Sequence, residues 1–221
     1  MRNIVFTNNE YYHVYNRGVE KRDIFSSEED CDRFLLSLKL LNDEQGDLMI
    51  RWRDFCKKDK KNTNTADFLM LNLKSPLVEI VAYCLNPNHY HLILKQITNR
   101  GIERFMHKLG TSYTKYFNLK NNHSGVLFQG TFKSIYIDSN KYLLYLSAYV
   151  NRNYYIHGFG DDSCWKYSSM WDYTGKRKDG LCNAQIILEQ FNYDFAAYAA
   201  LLDDTGLYIK NKKNLEKYLI E

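Results

Sequence analysis

Two apolar runs, Val78 to Leu85 and His89 to Gln96, flank the dipeptide Pro87-Asn88. A Pro-Asn pair between apolar segments reads as a turn, so this stretch predicts an antiparallel hairpin. Side chains at i and i+2 of a strand share a face, which points His89 and His91 the same way. Two imidazoles so placed suit one metal ion, although the spacing alone also fits a hydrogen-bonded or surface pair.

The flanking sequence supplies alternating strands and helices. Tyr11 to Asn16 predicts a short strand ending in a turn at Gly18. Ser26 or Ser27 can cap a helix with Glu28, Glu29 and Asp30 in its first turn and Phe34, Leu35, Leu38 and Leu41 as its apolar stripe. A polar insertion, about 43–66, carries the run Lys57-Lys58-Asp59-Lys60-Lys61, and its second half is expected as an exposed loop. After the hairpin, Phe105, Met106, Leu109, Tyr113 and Tyr116 keep helical spacing from about Ile102 to Phe117. Val126 to Ile137 reads as extended structure broken near Gly130, and Asp138 or Ser139 caps the helix that holds Tyr149. The order is that of a ferredoxin-like α+β sandwich, an antiparallel sheet with helices on one face. The expected division is a domain over 1–153 and a C-terminal extension over 154–221 that packs on it.

The stretch Tyr83-Cys84-Leu85-Asn86-Pro87-Asn88-His89-Tyr90-His91-Leu92 resembles the His-hydrophobic-His motif of single-tyrosine transposases, in particular the REP-associated branch. Four further blocks agree in order: His13 to Gly18, Phe105 to Phe117, Ser124 to Ser134 and Tyr142 to Asn153. The resemblance runs over roughly residues 11–175, and five ordered blocks are more specific than one three-residue motif. One departure lies at Thr131, where the family more often has Arg.

The last block contains the tyrosine. Tyr142, Tyr145 and Tyr149 share a helical face, as a core stripe would. Tyr149 differs in having Asn153 four positions on, one turn further along that face. The resemblance implies that Tyr149 is the nucleophile and Asn153 the third metal ligand beside His89 and His91. The family's usual Pro after that amide is Tyr154 here, which leaves the end of the helix open. Imidazole nitrogens with an amide oxygen suit Mg²⁺ or Mn²⁺ beside a phosphate, and such ligands do not exclude Zn²⁺. His123 and Lys141 are candidates for the base.

Composition permits this chemistry. Lys and Arg number 30 against 26 Asp and Glu, a net +4, with basic residues recurring through the middle third. Five widely spaced cysteines without a C-x-x-C pair argue against a disulfide scaffold or a cysteine-rich zinc site. No apolar run approaches membrane-spanning length and no signal peptide is legible, so a cytoplasmic, nucleoid-associated protein is expected.

The function expected is a metal-dependent tyrosine transposase that cleaves and rejoins single-stranded or hairpin DNA through a phosphotyrosine. Asn16, Arg17, Gln129, Lys133 and Ser134, all in matched blocks, are the expected DNA contacts. A homodimer is left open, and for the C-terminal extension packing is preferred to gripping the hairpin or a second subunit. The alternatives are a DNA or RNA hairpin-binding protein on the same fold and a metal-dependent hydrolase using water as nucleophile.

Overall fold

The structure, a computed structural model, describes residues 5–44, 46–58, 75–160, 165–177 and 180–218. Its centre is a four-stranded antiparallel sheet of β1 (Tyr11–Arg17), β2 (Val78–Asn86), β3 (His89–Gln96) and β4 (Lys133–Ile137), in the order β2-β3-β1-β4. The two-residue turn at Pro87-Asn88 closes the β2-β3 hairpin and pairs Asn86 with His89. Gly18 follows β1 where a Cβ would sit 2.2 Å from the Arg22 carbonyl oxygen, so only glycine lets the chain turn there.

Helices α1 (Glu28–Leu40) and α3 (Gly101–Lys120) cover one face. Ser27 caps α1 in a capping box: its hydroxyl accepts from the Asp30 amide while the Asp30 carboxylate accepts from the Ser27 amide. On this side Tyr12, Val14, Tyr83, Leu85, Tyr90, Leu92 and Leu94 meet Phe34, Leu38, Phe105, Leu109 and Tyr113. Full burial of such side chains stabilises by roughly 1.5–3 kcal/mol each relative to exposure. The strand period of two explains the split, since Tyr90, Leu92 and Leu94 enter this core while His89, His91 and Ile93 face away.

The α+β sandwich and the order of its elements along the chain are as expected, and the single helical layer holds for α1 and α3. The second face is covered too. Helix α4 (Asn140–Asn151), started by Ser139, lies on it with α5 (Asn153–Ile156), and Leu143, Leu146 and Val150 pack on Ala82, Cys84 and Ile93. Met170 and Tyr173 of α6 (Met170–Tyr173), Ile187 of α7 (Gln185–Leu188) and Tyr198 and Leu202 of α8 (Phe195–Tyr218) join the same cluster. The physical reason is in β2 and β3, whose second face presents the apolar Ala82, Cys84 and Ile93 beside the histidines and so requires cover as well. The free edge of β2 is closed by residues 167–169: the Leu85 amide donates to the Tyr167 carbonyl, and the Ser169 amide to the Tyr83 carbonyl.

Within the polar insertion the chain forms α2 (Leu48–Lys58), and the loop expected in its second half lies outside the described residues. Between Val126 and Ile137 regular strand is confined to β4. Gly130 turns the chain at φ 76°, and before it Phe128 makes only an isolated bridge to Gly18.

Candidate active site

Register brings the polar side chains together. On the face that α4 covers, Asn86 lies opposite His89 and Cys84 opposite His91 across the hairpin, while β1 sets Arg17 against His89 and Tyr15 against His91. Directly opposed residues share a face, so His13, Tyr15, Asn86, His89 and His91 converge on one region. Both candidate ligand histidines are buried, with ring centroids 5.2 Å apart and nearly perpendicular.

Each has a partner that orients it. His89 Nδ1 lies 2.6 Å from the Asn88 side-chain oxygen, which can only accept, so the proton sits on Nδ1 and Nε2 presents its lone pair. That Nε2 is 3.2 Å from Asn153 Oδ1. His91 Nδ1 is 2.8 Å from His13 Nε2, and burial lowers the His13 pKa to about 4, so this partner is neutral near pH 7. If His91 Nδ1 carries the proton and donates it to His13, the His91 Nε2 lone pair faces outward for an ion. His13 was not expected as a site residue, and neither was Asn86, whose Nδ2 donates to Asn153 Oδ1 at 2.7 Å. His157, 4.7 Å from His89 between ring centroids, also lay outside the expectation.

Tyr149 stands over this group, its ring 5.6 Å from His91 and 6.2 Å from His13, edge to face with both. Burial raises its phenol pKa, an effect that the neighbouring Asn153 amide partly offsets. The helix end that Tyr154 left open is a break: α4 stops at Asn151, Arg152 leaves helical geometry at φ −98°, ψ 3°, and Asn153 begins α5. Asn153 is fully buried at the break. The C-terminal segment holds the break in place. Arg152 pairs with Asp203, the Asn151 amide donates to the Tyr198 hydroxyl at 2.9 Å, and Tyr154 stacks on Trp165 at 4.0 Å.

The residues expected at DNA divide. Arg17 and Lys133 are exposed on the histidine face, Lys133 lying opposite Tyr15 on β4. Asn16 and Ser134 point to the other face. The Asn16 amide donates to the Gly130 carbonyl at 3.2 Å, and Ser134 is opposite Val14 with a buried hydroxyl that has no hydrogen-bond partner. Gln129 is exposed, with its backbone amide donating to the Arg17 carbonyl. Neither base candidate is at Tyr149. His123 is engaged by Arg22 and Asn118 beside Phe117, under the opposite face, and Lys141 is exposed two turns back along α4.

The donor set fits a hard divalent ion. Ligands about 2.1 Å from an octahedral ion stand about 3.0 Å apart at neighbouring positions, close to the His89-Asn153 separation. Among the described residues no three His, Cys, Asp or Glu side chains gather into a metal cluster, so the set depends on the amide oxygen. Nor, among them, is any helix long and apolar enough to cross a membrane.

No curated protein sequence matches the chain. A solved structure described as a REP-associated tyrosine transposase bound to a REP hairpin has a similar fold, with a TM-score of 0.51 at 14% identity over 83% of this chain and 88% of that one. The family model for IS200-like transposases matches residues 49–153, the segment that runs from α2 through the histidine strand to Asn153. Over that segment, a little under half of its length, the chain is similar to the IS200-like transposases.

Proposed function

We propose that this protein is a metal-dependent transposase that cleaves and rejoins single-stranded or hairpin DNA through a covalent bond to Tyr149. One observation carries the reading: Tyr149 stands against His91, with His89 Nε2 and Asn153 Oδ1 3.2 Å apart beside it. In this reading Tyr149 Oη attacks the scissile phosphorus, the new O–P bond replaces the bond to one strand end, and that end leaves as a hydroxyl. The phosphodiester is conserved on the tyrosine for rejoining to another hydroxyl. His89, His91 and Asn153 would hold Mg²⁺ or Mn²⁺, which when bound polarises the phosphate and offsets the charge that develops on it. Packing against His91 and His13 orients the ring of Tyr149.

Arg17 and Lys133 supply positive charge along the approach to the site, and the stacked, partly exposed rings of Tyr142 and Tyr145 offer surfaces for unpaired bases. The hairpin named for the structural neighbour is the substrate class proposed here. In this reading residues 1–153 are the catalytic domain, and the described residues of the extension over 154–221 pack on it and hold the helix break that carries Asn153. Action on DNA would bring such a protein to the nucleoid.

The test is incubation of the purified chain with end-labelled hairpin DNA carrying a single-stranded flank, with Mg²⁺ or Mn²⁺, resolved on a denaturing gel. A band of protein covalently attached to DNA is expected, and His89→Ala and His91→Ala should each abolish it while leaving DNA binding largely intact. Cut strands without an adduct would make the protein a hydrolase. Binding without any cut would make it a hairpin-binding protein.

A further inference from the structure

Asn86 is the fully buried last residue of β2, opposite His89 across the hairpin turn. Its side-chain nitrogen lies 2.7 Å from Asn153 Oδ1 and 3.0 Å from His89 Nε2, and those two atoms are 3.2 Å apart. The three atoms therefore form a triangle with the edges of one face of an octahedron around an ion at about 2.1 Å from each ligand. In this arrangement the amide nitrogen of Asn86 is a donor within hydrogen-bond distance of both proposed ligands. It braces them without an ion.

A half-turn of the amide about its last torsion exchanges nitrogen for oxygen at the same position. The outer side of Asn86 does not oppose that turn. Its oxygen there faces Cys84 Sγ at 3.9 Å, and a thiol is both a weak donor and a weak acceptor. With the oxygen turned inward, three acceptors would converge on one point, which is unfavourable around empty space and favourable around a cation. Asn153 Nδ2, on the other side of its amide, is buried toward the Tyr149 phenol, so its Oδ1 is the atom left to face Asn86 and His89.

We propose that Asn86 is a metal ligand through its side-chain oxygen, completing with His89 and Asn153 one face of the coordination shell. The remaining positions are left for His91, water and phosphate oxygens. This rests on the metal reading above, and Mn²⁺ binding separates the two.

The experiment is titration of the DNA-free full chain with Mn²⁺, read by the loss of the free-ion electron paramagnetic resonance signal, with thermal melting as a check on folding. Asn86→Ala should weaken Mn²⁺ binding by about tenfold or more, and Asn86→Asp, which puts an anionic oxygen at the same corner, should tighten it several-fold. Asn86→Asp carries the test if the alanine variant does not fold. If Asn86→Asp binds Mn²⁺ no more tightly than wild type, or a folded Asn86→Ala binds equally well, Asn86 is a donor brace only. A wild-type chain that does not bind Mn²⁺, or binds it unchanged in His89→Ala, overturns the metal reading and this ligand with it.

Discussion

His13 Nε2 and His91 Nδ1 are 2.8 Å apart across neighbouring strands. The contact fixes the ring of a proposed metal ligand from a strand 78 residues earlier in the chain. Removing an orienting partner of this kind typically costs about 10- to 100-fold in metal affinity. His13→Ala should therefore weaken Mn²⁺ binding by that order while a melting curve shows a folded protein. Isothermal titration would measure it, and an affinity equal to wild type would mean that His91 needs no help from His13.

Tyr149→Phe removes one oxygen and keeps the ring that packs on His91 and His13. DNA affinity and melting temperature should hold, and the covalent adduct should vanish. Tyr142→Phe and Tyr145→Phe, further from the histidines on the same helix, should still give the adduct. Mass spectrometry of the trapped complex would locate the nucleotide, and a modified residue other than Tyr149 would reassign the nucleophile.

Arg17 and Lys133 are exposed on the face that carries the histidines. Replacing both with Gln should weaken binding to every DNA sequence alike. The slope of log affinity against log salt should fall by about 0.7 per lost phosphate contact on a single strand. An unchanged slope in a fluorescence-anisotropy series would take these residues off the DNA path.

The basic insertion offers a separate test of charge. Neutralising Lys57, Lys58, Lys60 and Lys61 together should also flatten the salt dependence, because four cations in a polar segment act on backbone rather than bases. If binding and its slope are unaltered, that cluster is a solvated surface feature.

Asp30 links the capping box of α1 to α3, accepting from the Ser26 and Ser27 amides, the Tyr116 hydroxyl and Lys120 Nζ. Burial raises its carboxyl pKa, but Lys120, Tyr116 and the Ser26 amide outweigh that and hold it below the usual carboxylate range. A depressed pKa contributes stability that is full above the unfolded value and is lost as pH falls through the folded one. Asp30→Asn should cost roughly 1–3 kcal/mol near neutral pH, with the gap from wild type closing in acid. Urea unfolding at several pH values checks this, and a gap that does not change with pH would deny the carboxylate its role.

The hairpin, the capping of α1 and α4 and the ferredoxin-like order were legible in the sequence, because each depends on neighbours a few residues apart. Pro87-Asn88 set the turn, Ser27 with Asp30 the helix start, and the alternation from His89 to Leu94 the two faces of β3. The Asn86-His89 pair was within reach as well, since a two-residue turn makes those positions partners, but Asn86 carries no charge to attract notice. Other features were decided only by tertiary structure. His13 meets His91 because β1 enters the sheet beside β3, a register set by burial of Tyr12 and Val14 against α1 and α3. Arg152 breaks α4 under contacts to Asp203 and the C-terminal helices, and that break sets where Asn153 stands relative to His89. No local pattern fixes either, because both depend on which apolar face finds cover, and for β2 and β3 that cover comes from both ends of the chain.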